Sequence, residues 1–120
     1  FVMSTIALQH IPVYDIRKSL ITGIFNVLNK GGIFCFQMGY GDDLSDIYSR
    51  PRSNYHDNVY DAISTNSEHD VRITNEKEVI EDMQEIGFSE ISTIITNTLC
   101  DDGNELDKGH PEWIWVRCVK

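Results

Sequence analysis

The stretch that decides the fold is residues 1–38, which read FVMSTIALQHIPVYDIRKSLITGIFNVLNKGGIFCFQM. Two apolar runs of strand length, residues 1–6 and 33–38, enclose a segment in which apolar residues recur every three or four positions. That period predicts a helix with one apolar face. The residues expected on this face are Ile16, Leu20, Ile24, Val27 and Leu28. The stretch therefore predicts a strand, a helix and a second strand.

The two strands are expected to be parallel, because a strand–helix–strand unit of this size forms one right-handed crossover. Asp15 is expected to cap the first turn of the helix, and Gly31 with Gly32 to provide its left-handed stop. In open sheets of this kind, ligands bind outside the carboxyl ends of the strands. Residues 4–10 and 37–40 are therefore the expected binding edge.

Residues 41–74 have a different character, because they are rich in Asp, Ser, Asn and Gly and show no sustained period beyond a helical turn expected at residues 43–48 and another at residues 59–64. Connections of this length without regular structure are usually lids, binding loops or disordered segments. The segment leaves directly from the carboxyl end of the second strand, where a substrate is expected. We therefore favour a lid-like loop over a plain solvated insertion.

The rest of the sequence predicts a second helix and two closing strands. Thr74 or Asn75 can cap the helix, and Gly87 can end it. The expected inner stripe is Val79, Ile80, Met83 and Ile86, and the expected water-facing residues are Glu76, Lys77, Glu81, Asp82 and Glu85. Residues 89–99 and 112–120 have strand patterns and no helical period between them, which predicts an antiparallel pair.

The composition is that of a globular protein with one hydrophobic core. The 120 residues are 41% apolar and 24% charged, and we expect a single domain over residues 1–120. The formal net charge of −9 repels phosphate groups, so neither nucleic acid nor a membrane surface is an expected partner. No apolar run approaches the roughly 20 residues that span a bilayer. Three cysteines without paired spacing favour a reduced, cytoplasmic protein.

Four local sequences occur in a characteristic order: VMSTIALQHI (residues 2–11), LNKGGIFCFQ (28–37), EVIEDMQEIGF (78–88) and EWIWVRCVK (112–120). They resemble the fourth strand and its turn, the Gly-Gly turn into the fifth strand, the last helix and the closing strand of class I S-adenosylmethionine-dependent methyltransferases. The resemblance implies an α/β fold with a partial Rossmann-like methyltransferase sheet. This sheet is expected to be mixed, with flanking helices, a terminal antiparallel strand pair and the family's strand order fourth, fifth, seventh, sixth.

The resemblance also implies S-adenosyl-L-methionine as the cofactor and methyl transfer to a small-molecule or sugar-like acceptor. Ser4, Thr5, Ile6 and Leu8 match positions at the cofactor, although an ordinary strand end and core packing explain them as well. The family's glycine-rich first motif, and the acidic residue that holds the ribose, have no counterpart here. We therefore expect a fragment with half of a cofactor site that is inactive alone. Its opening inside a strand suggests the second half of a larger domain.

His10 is the candidate catalytic residue, because it follows the first strand and an imidazole with a pKa of about 6.5 can accept a proton from a hydroxyl or amine. A structural role is the alternative. Gln37 and Tyr40 end the next strand and are candidates for orienting the substrate, with polar capping of the strand end as the alternative. No metal is expected, because the remaining candidate ligands lack suitable spacing. These are Asp42, Asp43, His56, His69 and His110.

Two other functions stay open. A non-catalytic α/β module that binds a partner is favoured by the missing glycine-rich motif. Another Rossmann-like enzyme, for a different nucleotide, is disfavoured by the antiparallel closing pair. The strand at residues 1–6 lacks its family neighbour, and an unpaired apolar edge invites pairing with another copy, so we expect a homodimer or higher oligomer. Trp113 and Trp115 share a strand face with Arg117, which either binds a partner or is covered by a helix.

Overall fold

A computed structural model describes residues 1–41, 51–64, 69–97 and 112–120, which form an α/β domain with a mixed sheet of six strands. The strands are β1 (Val2–Thr5), β2 (Ile33–Tyr40), β3 (Arg52–Asn54), β4 (Asp70–Ile73), β5 (Ser89–Asn97) and β6 (Glu112–Val119). The helices are α1 (Tyr14–Val27), the single turn α2 (Asp61–Ser64) and α3 (Glu76–Ile86), and a 3₁₀ turn, Ala7–His10, follows β1. None of the described helices is long and apolar enough to cross a membrane.

The sheet is organised around β2. On one side, β6 runs antiparallel to β2 along its whole length. On the other side, β1 pairs in parallel with residues 34–37, and β4 then pairs in parallel with Gly39 and Tyr40. β3 extends the sheet beside β4, and β5 forms the opposite edge, antiparallel to β6. The predicted succession β1, β2, β6, β5 and the antiparallel closing pair are confirmed.

The single turn α2 lies within the helical turn expected at residues 59–64, but the prediction of no further regular structure in residues 41–74 is wrong for the described part of this segment, which also contains β3 and β4. The two strands have three and four residues, too few to establish a period in the sequence. They form because the side of β2 beyond the end of β1 offers backbone groups with which β4 can pair. Residues 42–50 and 65–68 lie outside the described residues, and the lid role stays a prediction.

One face of the sheet carries the hydrophobic core. Alternation along β2 places Phe34, Phe36 and Met38 on this face, and each of them is at most 1% exposed. They belong to one cluster with Ile21 of α1 and Met83 of α3. Both long helices therefore cover the same face of the sheet.

The other face of the sheet carries Trp113, Trp115 and Arg117, as the alternation along β6 predicts. Trp113 is buried, Trp115 is half-buried and Arg117 is exposed. Within the described residues no long helix lies over this face, because α1 and α3 pack on the opposite one. The expectation of a covering helix is therefore not met by the described residues.

The predicted inner face of α1 is rotated in the structure. Leu28, just past the helix end, is buried and Ile24 is half-buried as expected, but the other three predicted residues are exposed. Their exposed fractions are 41% for Ile16, 48% for Leu20 and 78% for Val27. Arg17 and Ile21 are buried instead, each at 1% exposure. A hydrophobic pattern counts arginine as polar, so the burial of Arg17 explains why the inner face of α1 was predicted wrongly.

The ends of the helices follow the predictions for α3 but not for α1. The side chain of Asn75 accepts a hydrogen bond from the backbone N–H of Lys77, and Gly87 ends α3 in the left-handed conformation. At the start of α1, Asp15 does not cap; its own backbone N–H donates to Oδ1 of Asn58. Gly31 and Gly32 do not end α1, because the helix already stops at Val27 and the next residue, Leu28, is extended.

Asp82 is the second exception in the helices, because it was expected to face water and is only 5% exposed. The hydroxyl of Tyr14 donates a 2.8 Å hydrogen bond to its Oδ1, and Nζ of Lys18 lies 3.6 Å from the same oxygen. A carboxylate is buried only where such partners replace water. The contact joins α3 to the first turns of α1 across the core face.

Candidate functional site

The carboxyl end of β1 is a strained turn. Ile6 follows the strand with φ of 66° and ψ of −32°, a conformation that a β-branched residue rarely adopts. Strain of this kind costs about 1–3 kcal/mol and tends to occur at active sites and ligand clamps. The side chain of Ile6 is 40% exposed, so the turn is open to a ligand. This edge of the sheet is therefore the candidate site.

Gln9 fills the gap where β2 changes its neighbour from β1 to β4. It is 2% exposed, and its Oε1 accepts a 3.1 Å hydrogen bond from the buried backbone N–H of Gly39. β1 ends opposite Gln37 and β4 begins its pairing at Gly39, so the side-chain amide satisfies the backbone at the switch between them. This bond fixes the 3₁₀ turn, and with it the neighbouring His10, against the sheet.

His10 contacts a buried carboxylate. Its Nδ1 lies 2.9 Å from Oδ1 of Asp70, the first residue of β4. The Asp70 side chain is 2% exposed, whereas the His10 side chain is 45% exposed. A carboxylate beside Nδ1 favours the tautomer that carries its proton there, which leaves the lone pair on Nε2. In enzymes a buried acid beside a histidine can orient it as a base, and that role for His10 stays a prediction.

Buried polar side chains are concentrated around this pair. Outside α3, the buried polar residues of the described chain are Gln9, Arg17, His69, Asp70 and Arg72, which we call the polar corner. Burial lowers the pKa of the His69 imidazole, because desolvation disfavours its charged form. Two residues on, Arg72 is 2% exposed and pairs with Gly39 across the β2–β4 ladder.

Arg17 joins the start of α1 to the chain that follows β3. Its side chain is 1% exposed, and its terminal nitrogens donate hydrogen bonds to the carbonyl oxygens of Ile11 and Tyr55. The guanidinium carbon lies 5.4 Å from the centroid of the Tyr55 ring, within the range of a cation–π interaction. Burial lowers the pKa of this guanidinium, although arginine stays protonated in proteins. Arg17 thus joins the residue after His10 to the residue after β3.

The residues predicted to contact a cofactor lie together at the end of β1 but differ in accessibility. Thr5 and Ile6 are exposed, and Ser4 is half-buried. Leu8 is 5% exposed and packs in the hydrophobic core, so it anchors the 3₁₀ turn to the core. The cofactor role of these residues stays a prediction.

The two predicted substrate residues lie on opposite faces of the sheet, because side chains three positions apart in a strand point to different sides. Gln37 is half-buried and pairs with Thr5. It shares the face on which Asp70 and Arg72 lie. Tyr40 packs against the core on the helix-covered face, where burial raises the pKa of its phenol. Only Gln37 therefore lies on the side of the candidate base.

The sequence did not predict Asp70 and Arg72 as residues of the site. The alternation of Asp70, Val71, Arg72 and Ile73 was the available signal, but four residues inside a polar segment are a weak one. Asp42, Asp43 and His110 lie outside the described residues. Among the residues that the structure describes, no three His, Cys, Asp or Glu side chains are grouped as metal ligands would be.

No protein-family model matches this sequence, and no curated protein matches it either. What the site can do is therefore inferred from its own residues. They provide an exposed strained turn, a histidine beside a buried carboxylate, and two arginines, Arg52 and Arg72, on one face of the sheet.

Proposed function

We propose that this chain is part of an S-adenosylmethionine-dependent methyltransferase that acts on a small-molecule or sugar-like acceptor. The observation that supports the proposal most is the His10–Asp70 pair beside the strained end of β1. This is the edge at which the sequence resemblance puts the methionine part of the cofactor. The succession of strands β1, β2, β6, β5, with its antiparallel closing pair, fits the same reading.

The described end of β1 fits a ligand that is held largely through backbone groups. Thr5 and Ile6 are exposed, and the positive φ of Ile6 ends the strand and begins the 3₁₀ turn at this point. S-adenosylmethionine, when bound, supplies an electrophilic methyl carbon. The chain's own contribution is to hold and orient, because near-attack geometry provides much of the rate of such a displacement.

His10 is the residue proposed to move a proton. Its Nε2 accepts the proton of the acceptor's hydroxyl or amine as that group becomes nucleophilic, and Asp70 stabilises the imidazolium that forms. General base catalysis by a positioned side chain typically contributes about 10²–10⁴-fold to the rate. Gln37 lies on the same face of the sheet and is proposed to orient the acceptor.

The proposal is tested by titrating the ¹⁵N-labelled chain with S-adenosylhomocysteine and following the amide resonances. Because half of the contacts are expected, we predict binding weaker than about 100 μM, which corresponds to roughly −5.5 kcal/mol. The largest shifts are expected at Ser4, Thr5 and Ile6, with none in β5. Ile6→Lys should abolish these shifts, since it puts a longer, charged side chain at the turn that the ligand is expected to contact.

Ile94→Lys is the matched control, because Ile94 is an exposed isoleucine on β5, at the other edge of the sheet. It should leave the titration unchanged. An absence of shifts at saturating ligand, or shifts spread evenly over the sheet, would argue against the cofactor assignment.

A non-catalytic module that binds a partner is the second candidate, and one observation favours it. Six of the nine large exposed apolar side chains of the described residues lie at β1 and on one flank of α1. They are Phe1, Met3, Ile6, Ile16, Leu20 and Val27, which we call the outer flank. Met3 lies on the face of β1 opposite to the helices, so these side chains surround an edge of the sheet rather than form one patch, and an apolar sheet edge favours pairing with a second copy. We propose that the outer flank mediates a homodimer or higher oligomer, and the two functions do not exclude each other.

A further inference from the structure

One side of α1 exposes apolar residues at a regular spacing. Ile16, Leu20 and Val27 are exposed, and Gly23 lies between them on the same exposed side of the helix. Spacings of four, three and four positions place these residues on one line along an α-helix, and two helices pack against each other through this spacing. The four residues, which we call the α1 seam, therefore have the pattern of a contact between helices.

The contacts that α1 makes within the described residues use other sides of the helix. Arg17 and Ile21 are buried, and Ile21 belongs to the hydrophobic core. Lys18 faces α3, because its Nζ lies 2.8 Å from Oε2 of Glu85. Lys18 is about 160° from Leu20 around the helix, so the seam points away from α3. In the part of the chain that the structure describes, neither α3 nor the core lies against the seam.

Gly23 is the residue of the seam that the fold itself does not explain. A Cβ atom at this position would meet no atom within 4 Å among the described residues, so nothing there excludes a larger side chain. A glycine in the middle of a helix is destabilising relative to alanine, and it is used where another backbone or a ligand comes close. A partner that packs on the seam would supply that close approach.

A second copy of the chain has the matching shape. When two copies are turned end to end about a two-fold axis through the middle of the seam, Leu20 of each copy faces Gly23 of the other, and Ile16 faces Val27. Leu20 thus meets the position without a side chain. Beside Gly23 runs a groove of about 560 Å³ that can take part of this leucine. The seam is therefore complementary to itself.

The charges at the two ends of the seam favour the same arrangement. Asp15 lies one position before the seam and Lys30 three positions after it, and both residues are exposed. A 3.5 Å hydrogen bond from the Tyr60 hydroxyl to Oδ2 of Asp15 leaves the negative charge of this carboxylate in place. Antiparallel copies bring Asp15 toward the end where Lys30 of the other copy lies, whereas parallel copies put like charges together. Opposite ends of the two helix dipoles also meet in the antiparallel pair.

We propose that α1 packs antiparallel on α1 of a second copy through the α1 seam, with Gly23 at the closest approach. This inference rests on the association proposed for the outer flank, because Ile16, Leu20 and Val27 belong to both sets of residues. It names the partner as an identical chain and the contact as a helix pair. The seam is only about 17 Å long, which is short for a standard interface, so we expect a dimer with a Kd weaker than about 1 μM.

The first test is Gly23→Gln, compared with the natural chain by sedimentation equilibrium and by urea denaturation at a concentration at which both are monomeric. Glutamine favours a helix more than glycine does, so the variant should need more urea to unfold. Its side chain takes the space that Leu20 of the second copy is proposed to occupy, so the Kd of the dimer should rise at least about tenfold.

The other outcomes of this test separate the helix pairing from the association on which it rests. A more stable monomer with an unchanged Kd would overturn the pairing and keep the association of the outer flank. A less stable variant would mean that Gly23 serves the fold, which also overturns the pairing. A natural chain that forms no dimer would overturn both.

Leu20→Gln tests the other half of the contact, and it should raise the Kd by a similar factor because it removes the side chain that faces Gly23. Ile94→Gln is the matched control, since Ile94 is an exposed apolar residue on β5. It should leave the Kd unchanged. Equal weakening by the two variants would attribute the association to general surface hydrophobicity and overturn the seam.

Cross-linking tests the direction of the helices. Chains that carry Ile16→Cys and chains that carry Val27→Cys are mixed, oxidised and digested, and mass spectrometry identifies the linked peptides. The antiparallel pair should give a disulfide between position 16 of one copy and position 27 of the other. Links between identical positions would indicate parallel helices and overturn the proposal, as would the absence of any link between these positions. The natural chain, with its three cysteines, is the control for background links.

Discussion

The polar corner buries charged side chains, whereas the outer flank exposes apolar ones, so each reverses the usual distribution of side chains. In the polar corner, Arg17, Asp70 and Arg72 are charged and at most 2% exposed. On the outer flank, Phe1 and Val27 are apolar and 77% and 78% exposed. Both regions adjoin β1, the corner at its carboxyl end and the flank at the edge where, within the described residues, no further strand pairs.

The two departures differ in how they are stabilised. Each buried charge needs hydrogen bonds inside the molecule, and the two carbonyl oxygens bonded to Arg17 supply them. The exposed apolar side chains have no such compensation within the described residues, and we propose that a second copy of the chain covers them. Departures of this kind are expected at functional positions rather than in the scaffold. We therefore propose that the corner takes part in chemistry and the flank in association.

The largest effect is expected from Arg17→Met, which tests the internal compensation of the corner. The methionine fills a similar space but leaves the carbonyl oxygens of Ile11 and Tyr55 without their donor. Unsatisfied buried groups cost about 1–3 kcal/mol each, so the free energy of unfolding should fall by about 3–5 kcal/mol. Urea denaturation measures this change.

Arg117→Met is the control for this loss of charge, because Arg117 is exposed on β6. Its effect should stay within about 0.5 kcal/mol. Similar values for the two variants would mean that the buried guanidinium contributes no more to stability than a surface arginine, and the corner would lose its structural basis.

An intermediate effect is expected from Gln9→Ala, which removes the acceptor of the Gly39 backbone N–H. Because that donor stays buried, the free energy of unfolding should fall by about 1–3 kcal/mol. Gln84→Ala, at an exposed position of α3, should change it by about 0.5 kcal/mol or less. Hydrogen exchange at Gly39 should accelerate only in the Gln9 variant, and unchanged exchange there would contradict the role given to this side chain.

The scaffold on which these residues stand was largely predictable from the sequence. The caps of α3 at Asn75 and Gly87 follow from local chemistry, and the strand succession follows from the resemblance. The orientation of α1 was not predictable in the same way. Residues 16, 20 and 27 and residues 17, 21 and 28 have the same helical spacing. The apolar pattern favours the first set because residue 17 is an arginine, whereas the tertiary partners of Arg17 select the second set.

The candidate site was predictable only in part, for a related reason. His10 follows a recognisable strand, so its position at the carboxyl edge could be inferred. Its partner Asp70 lies sixty positions further along the chain, on a four-residue strand whose pairing is set by β2. A contact of that kind depends on sheet pairing, which no local pattern encodes.

The smallest effect on stability, but the clearest on assembly, is expected from the double variant Met3→Lys with Val27→Lys on the outer flank. The side chains are 59% and 78% exposed, so the free energy of unfolding should change by about 0.5 kcal/mol or less. Within the described residues β1 pairs only with β2, and lysine on an open sheet edge opposes pairing with a second copy. Light scattering should therefore show an oligomer for the natural chain and a monomer for the variant, while Ile94→Lys on β5 leaves the oligomer intact. If the natural chain stays monomeric at high concentration, the proposal that the outer flank mediates association is wrong, and the polar corner is the one region of the two with a proposed function.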